Sequence, residues 1–156
     1  MRDITHKFIS CKEVMKDKTI TSYMSELINK TDKDHKERLF KICARNNKIR
    51  ATEHCTGNDC EIIPNADCKR EEITIGWFHT HPEPGKERLS SSDIMYGIDK
   101  DFSCVGFRKE DKNKVLCFNY PYGMNLQKLG ESSDVFSAIE SILEKGIKRD
   151  CEEILE

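Results

Sequence analysis

No stretch of this sequence approaches the roughly 20 consecutive apolar residues of a membrane-spanning helix. Its first residues, MRDITHKFISCKEV, contain no continuous apolar core of a secretion signal. Charge of neither sign dominates: 26 basic against 28 acidic residues leave a formal net charge of -2. That balance argues against the basic footprint of a nucleic-acid binder or a polybasic membrane patch. There is no internal repeat, low-complexity tract or Pro/Gly/Ser-rich linker, so residues 1–156 read as a single domain large enough to bury a core. These absences together predict a cytoplasmic protein with no nucleic-acid and no membrane partner.

Cysteine is plentiful, at 8 residues, yet no C-x-x-C pair occurs. The zinc-ribbon and thioredoxin readings thereby lose their best support. In a cytosolic protein most thiols are expected to be reduced, intracellular proteins of hyperthermophiles being the exception. Cys43, Cys104 and Cys117 fall inside expected strands and read as small core hydrophobes. The cluster His54, Cys55, Cys60 and Cys68 leaves three alternatives open: a second zinc site, a disulfide pinning a loop, or free thiols.

Ser10 and Glu13 have capping-box spacing. Val14, Ile20, Met24, Leu27 and Ile28 then recur at helical intervals and predict a helix over 11–30, weakest around Asp17. ERLFKICAR suits a strand, Asn46-Asn47 a hairpin turn, and Ile49 to Cys55 a second strand. Residues 56–71 are rich in turn formers and predict a loop around a short strand at Glu61 to Ile63. EITIGWF is a short apolar run of the kind found in buried central strands. It ends at HTHPEPG, where two prolines and a glycine forbid continuation. SSSDIMYGI restarts as a helix with a serine cap. FSCVGF and KVLCFNY predict two more strands, and a closing helix is expected from about Ser133, with Val135, Ile139, Ile142, Leu143, Ile147 and Ile154 on one side. The result is an α/β domain with a mixed sheet flanked by helices.

His79 and His81 stand two apart at the end of the central strand, where alternation sends both imidazoles to one face and Thr80 to the other. Such a pair can grip one metal ion. Asp93, near the start of the next helix, adds a carboxylate that the helix dipole also favours. Two nitrogens and one oxygen leave a fourth tetrahedral position for water, the mark of a catalytic rather than a structural zinc site.

His79-Thr80-His81-Pro82, seven residues, then Ser90-Ser91-Ser92-Asp93 resembles the H-x-H-P-x7-S-x2-D signature of JAMM (MPN+) zinc metalloproteases. The flanking GWFHTHP is also similar to many members, and the resemblance is sharp over about residues 72–108. It implies the single-domain MPN fold with its cytidine-deaminase-like layering, and one zinc per chain held by His79, His81 and Asp93. Glu37, at the start of the strand after the first long helix, matches the family's upstream glutamate, the general base, with Glu53 as the rival. Ser90 matches the serine that stabilises the oxyanion. Trp77 shares the histidines' parity and reads either as lining their approach or as core.

The implied reaction is hydrolysis of the isopeptide or peptide bond after the C-terminal tail of a ubiquitin-like modifier or sulfur-carrier protein, as in the compact prokaryotic members. A non-catalytic or latent MPN scaffold module is the alternative. A zinc deaminase is excluded, because His79-Thr80-His81 lacks the H-x-E glutamate and no P-C-x-x-C follows.

Overall fold

Helical periodicity in the N-terminal segment is interrupted once, at Asp17. The computed structural model of the chain describes residues 9–56, 59–82, 100–119 and 151–155. Within them the expected single helix over 11–30 is two: α1 (Cys11–Met15) and α2 (Lys18–Asp34). Asp17 causes the break, because its carboxylate accepts the Ile20 backbone N–H at 3.1 Å and caps α2. Ser10 is the N-cap of α1, but its side chain makes no capping hydrogen bond, so the expected capping box does not form. Ile20, Met24, Leu27, Ile28 and Thr31 are the buried stripe of α2, at the i, i+4, i+7, i+8, i+11 spacing of one helix face. The helix stops at His35, which adopts the left-handed conformation at φ 58°.

Seven strands form one mixed sheet: β1 (Arg38–Arg45), β2 (Lys48–Ala51), β3 (Cys55–Thr56), β4 (Ile73–Thr80), β5 (Phe102–Lys109), β6 (Lys112–Asn119) and β7 (Cys151–Leu155). The order is β2-β1-β4-β5-β6-β7, with β3 also pairing β1. β1 and β4 run antiparallel, β4 and β5 parallel, and β5 and β6 antiparallel. The chain is therefore α/β with a mixed sheet and two helices among the described residues.

Asn46 and Asn47 both take positive φ and make the expected hairpin turn between β1 and β2. Glu110 and Asp111 do the same between β5 and β6, a turn that carries no glycine or asparagine signal. The second expected strand, Ile49 to Cys55, is divided into β2 and β3. Thr52 lies between them, its hydroxyl accepting the Lys41 N–H at 3.0 Å. No strand forms over Glu61 to Ile63, where consecutive turns close on the Asp59 carbonyl. The expected closing helix fails at its far end, since Ile154 belongs to β7, paired with Lys114 of β6. The rest of that helix, and the one expected over SSSDIMYGI, lie outside the described residues.

α2 packs on one face of the sheet, against Phe40, Phe78 and Phe102. Gly106 allows the close approach: a methyl added there would stand 2.6 Å from Phe78 Cζ and 2.8 Å from Ile28 Cδ1. Because Gly106 faces α2, its neighbours Val105 and Phe107 face the other way, and both are buried. The sheet is thus covered on both sides near β5. An Asn113 amide ties the β5–β6 hairpin to α2 through Ser25 Oγ at 2.8 Å and Asn29 Oδ1 at 3.0 Å.

The cysteines are oxidised, which realises the disulfide alternative within the 55–68 segment and departs from the reduced thiols expected at Cys43, Cys104 and Cys117. Cys43–Cys68, Cys55–Cys60 and Cys104–Cys117 are disulfides, Cys11 is disulfide-bonded too, and no described cysteine is free. Cys104 and Cys117 are directly opposed in the β5–β6 register, and Cys43 meets Cys68 where the 59–68 segment folds back along β1. Cys43, Cys104 and Cys117 are buried as expected, but as half-cystines rather than reduced core thiols.

Candidate metal centre

The site grows from the alternation of β4. Phe78 and Thr80 point toward α2, so Trp77 and His79 occupy the opposite face, and His81 follows one residue beyond the strand. Thr80 is anchored on the helix side, where its hydroxyl lies 2.7 Å from the Thr31 hydroxyl and accepts the Arg38 backbone N–H at 2.8 Å. The His81 backbone N–H donates to the Gly106 carbonyl at 2.9 Å, extending the parallel ladder past the strand end. Thr80 is thereby fixed through its hydroxyl and His81 through its backbone N–H.

With the backbone so held, the two rings converge. His79 Nε2 and His81 Nε2 are 3.0 Å apart, with ring centroids at 4.8 Å and planes inclined by 62°. His81 is buried and His79 partly so. A neutral imidazole offers one N–H and one lone pair. Two such nitrogens facing each other either share a proton or aim both lone pairs at one cation. Ligand nitrogens each about 2.0–2.1 Å from a tetrahedral zinc stand about 3.3 Å apart, so the observed separation fits a shared ion after a shift of a few tenths of an ångström. Asp93 and Ser90 lie outside the described residues.

Glu37 immediately precedes β1 and is exposed. Leu39 is the register partner of His79, so continuing the antiparallel pairing by two residues on each strand sets Glu37 opposite His81. Glu53 follows β2, on the other edge of β1, where its backbone N–H donates to the Asn65 carbonyl. Of the two candidate carboxylates, the register brings Glu37 to the histidine end of β4, whereas strand β1 separates Glu53 from it.

A charged lining beside the histidines was not anticipated from the sequence. Lys41 is the register partner of Trp77, and its Nζ lies 5.0 Å from the centre of the indole ring. Lys41 also binds the Asp67 carboxylate at 2.6 Å, which holds that carboxyl below the usual range. The Trp77 indole N–H is buried and has no hydrogen-bond partner among the described residues. The usable signal was parity, since Lys41 alternates with Phe40 and Ile42 just as Trp77 alternates with Phe78. The 59–68 segment, stapled by Cys43–Cys68 and by Lys41–Asp67, thus borders this face.

The second cluster considered from the sequence does not assemble as one site. Cys68 is bonded to Cys43, and His54 Nδ1 is 2.7 Å from the Tyr23 hydroxyl. Burial, with Lys30 and Arg38 nearby, pushes the His54 pKa down. Cys55, Asp59 and Cys60 do come together, with one ligand atom from each within 4.8 Å of the others, although Cys55 and Cys60 are bonded to each other.

No helix among the described residues is long and apolar enough to cross a membrane. Compared with known proteins, the chain matches no protein-family model and no curated sequence.

Proposed function

We propose that this chain is a JAMM-type zinc hydrolase with an MPN fold, which cleaves the isopeptide or peptide bond after the C-terminal tail of a ubiquitin-like modifier or sulfur-carrier protein. The observation that carries the reading is the convergence of His79 Nε2 and His81 Nε2 to 3.0 Å at the end of a central strand. Their H-x-H-P spacing and the serine and aspartate that follow supply the family resemblance.

His79 and His81 would hold the zinc through Nε2, with Asp93 as the third ligand that the resemblance assigns. An ion held there supplies Lewis acidity that lowers the pKa of water from 15.7 toward about 7. The Glu37 carboxylate takes the proton from the attacking water and delivers it to the departing amine nitrogen. The Ser90 hydroxyl donates to the carbonyl oxygen as it gains charge, a contribution of about 3 kcal/mol in comparable sites. Trp77 and Lys41, in contact with each other on the β1 side, would line the approach beside His79.

The test combines zinc content with cleavage of a ubiquitin-like fusion protein. Expected are one zinc per chain in the wild type and, for Glu37→Gln, retained zinc with cleavage reduced about 10²–10⁴-fold. Full activity in Glu37→Gln would transfer the base to Glu53. Zinc without cleavage of any modifier tried would favour a latent or scaffold module, and a folded protein that takes up no zinc would end the hydrolase reading.

A further inference from the structure

Cys55, Asp59 and Cys60 lie apart from the histidine pair, on β3 and the turn that follows it. Their ligand atoms fall within 4.8 Å of one another. The Thr56 backbone N–H donates to Asp59 Oδ1 at 2.6 Å and fixes the carboxylate beside the two sulfurs. Cys55 is buried and Cys60 partly exposed, so solvent reaches the pair from one side.

We propose that this group is a redox-controlled metal site: a disulfide when oxidised, and a two-thiolate, one-carboxylate site for a thiophilic divalent cation such as zinc when reduced. It is independent of the hydrolase reading. The conversion uses a dithiol as reductant. The Cys55–Cys60 S–S bond breaks, two electrons and two protons pass from the dithiol, and the dithiol leaves as its own disulfide. Cation binding then displaces the two thiol protons, and two sulfur–metal bonds form beside one oxygen–metal bond. A fourth position is left for water.

Three observations single out this pair: loop length and a nearby carboxylate against both Cys43–Cys68 and Cys104–Cys117, and exposure against Cys104–Cys117 alone. Cys55–Cys60 closes a loop of sequence separation 5, against 13 for Cys104–Cys117 and 25 for Cys43–Cys68, so chain entropy favours its bond least. Cys104 and Cys117 are both buried, whereas Cys60 is open to an incoming thiolate. Among the described residues only this pair has a carboxylate oxygen within 4.8 Å of both sulfurs. In a tetrahedral site with metal–sulfur bonds of about 2.3 Å the sulfurs stand about 3.8 Å apart, a separation that side-chain rotation can reach from a broken disulfide. Cys55 is also the register partner of Leu39, which in turn pairs His79, so this site lies two strand spacings, about 10 Å, from the histidines.

The test uses the full chain and cobalt(II) as a spectroscopic probe. The oxidised protein should show no thiolate-to-cobalt charge-transfer band. After reduction by a dithiol and its removal, one equivalent of cobalt should give the band, and reoxidation should abolish it. The band should be lost in the Cys55→Ser, Cys60→Ser double variant and persist in His79→Ala, while Asp59→Asn should weaken cobalt binding about tenfold or more. Absence of the band in the reduced wild type would overturn the proposal, as would its survival in the double variant. Unchanged affinity in Asp59→Asn would remove the carboxylate from the site. Because the band reports thiolates alone, the result does not depend on whether the histidine centre is a hydrolase.

Discussion

Gly106→Ala joins the packing of the sheet to the geometry of the histidines. The added methyl would meet Phe78 Cζ at 2.6 Å and Ile28 Cδ1 at 2.8 Å, whereas carbon atoms in contact prefer about 3.5–4.0 Å. About 1 Å must therefore be found on two sides at once. Neither neighbour has room to yield: Phe78 is 0% and Ile28 1% exposed, and the Phe78 ring packs on Phe40 at 4.9 Å between centroids. Overpacking of this kind costs about 1–3 kcal/mol. Restricting the unfolded chain by replacing glycine returns up to about 1 kcal/mol. The expected net loss is about 1–2 kcal/mol, or about 2–8 °C in Tm for a domain of this size. The Gly106 carbonyl also accepts the His81 N–H, so under the proposed function a displaced β5 should weaken the zinc binding assigned to His79 and His81. Urea unfolding in chelator and zinc titration against a chelating dye measure the two effects separately. Adding Phe78→Leu, which removes the nearest ring atoms, should cost less in the Gly106→Ala background than in wild type. A Gly106→Ala protein as stable as wild type, or strictly additive losses in the double variant, would refute the close-packing argument.

Loss of a disulfide should scale with the loop that it closes. The Cys43→Ala, Cys68→Ala pair, at separation 25, should lose about 3.5 kcal/mol, and Cys55→Ala, Cys60→Ala, at separation 5, about 2 kcal/mol. Urea unfolding of the oxidised proteins measures both, and a reversed order would refute the ranking. Arg50 binds Glu72 through Nε at 2.7 Å and Nη2 at 2.5 Å, which holds the Glu72 pKa down from 4.5 to about 2. Because the folded value is the lower one, this contribution is present above pH 4.5 and is lost as pH falls toward 2. Glu72→Gln should flatten that part of the stability curve, and an unchanged slope would sink the assignment. Tyr23→Phe removes the hydroxyl that accepts the His54 backbone N–H at 2.8 Å and contacts Nδ1, at an expected cost of about 1–2 kcal/mol at pH 8. Since the folded His54 pKa lies below 6.5, the wild type should also lose stability as pH falls below that value, a loss that His54→Gln should reduce.

The strands expected in EITIGWF, FSCVGF and KVLCFNY are present as β4, β5 and β6, legible as β-branched and aromatic runs, although β4 and β5 each run two residues further and β6 starts two residues earlier. Asn46-Asn47 was legible because asparagine accepts the left-handed conformation cheaply. Where the reading failed, local signals were short or shared between alternatives. Ile154 extends the apolar series of the expected closing helix, yet five residues suffice for β7. Asp17 weakens a helix interior and starts a helix equally well, and the difference depends on whether its carboxylate finds the Ile20 N–H. The Cys104–Cys117 pairing follows once Glu110 and Asp111 are recognised as a two-residue turn, but acidic residues at positive φ give no advance notice. His79 and His81 needed only strand alternation. Lys41 and Asp67 needed the β1–β4 pairing and the fold-back of the stapled segment, which local sequence does not contain.

The topology bears on which carboxylate could serve the proposed mechanism at this end of the sheet. Antiparallel pairing brings the start of β1 to the end of β4, and parallel pairing sets β5 on the other side of the same end. Leu39 with His79 and Phe40 with Phe78 keep one register, and the bulge that breaks it falls between Ile42 and Cys43, at the opposite end of the ladder. Glu37 and His81 are therefore on the unbroken side, 44 positions apart in sequence but one interstrand spacing, about 5 Å, apart in the extrapolated ladder. Glu53 would have to act from the far edge of β1, about twice that distance, with Thr52 buried and hydrogen-bonded to Lys41 just before it. Under the proposed mechanism the base must reach a water beside His79 and His81, so side-chain length at position 37 should matter. Glu37→Asp shortens the reach by one methylene and keeps the carboxylate. It should retain zinc yet lose much of the cleavage lost in Glu37→Gln, whereas Glu53→Asp should leave cleavage unchanged.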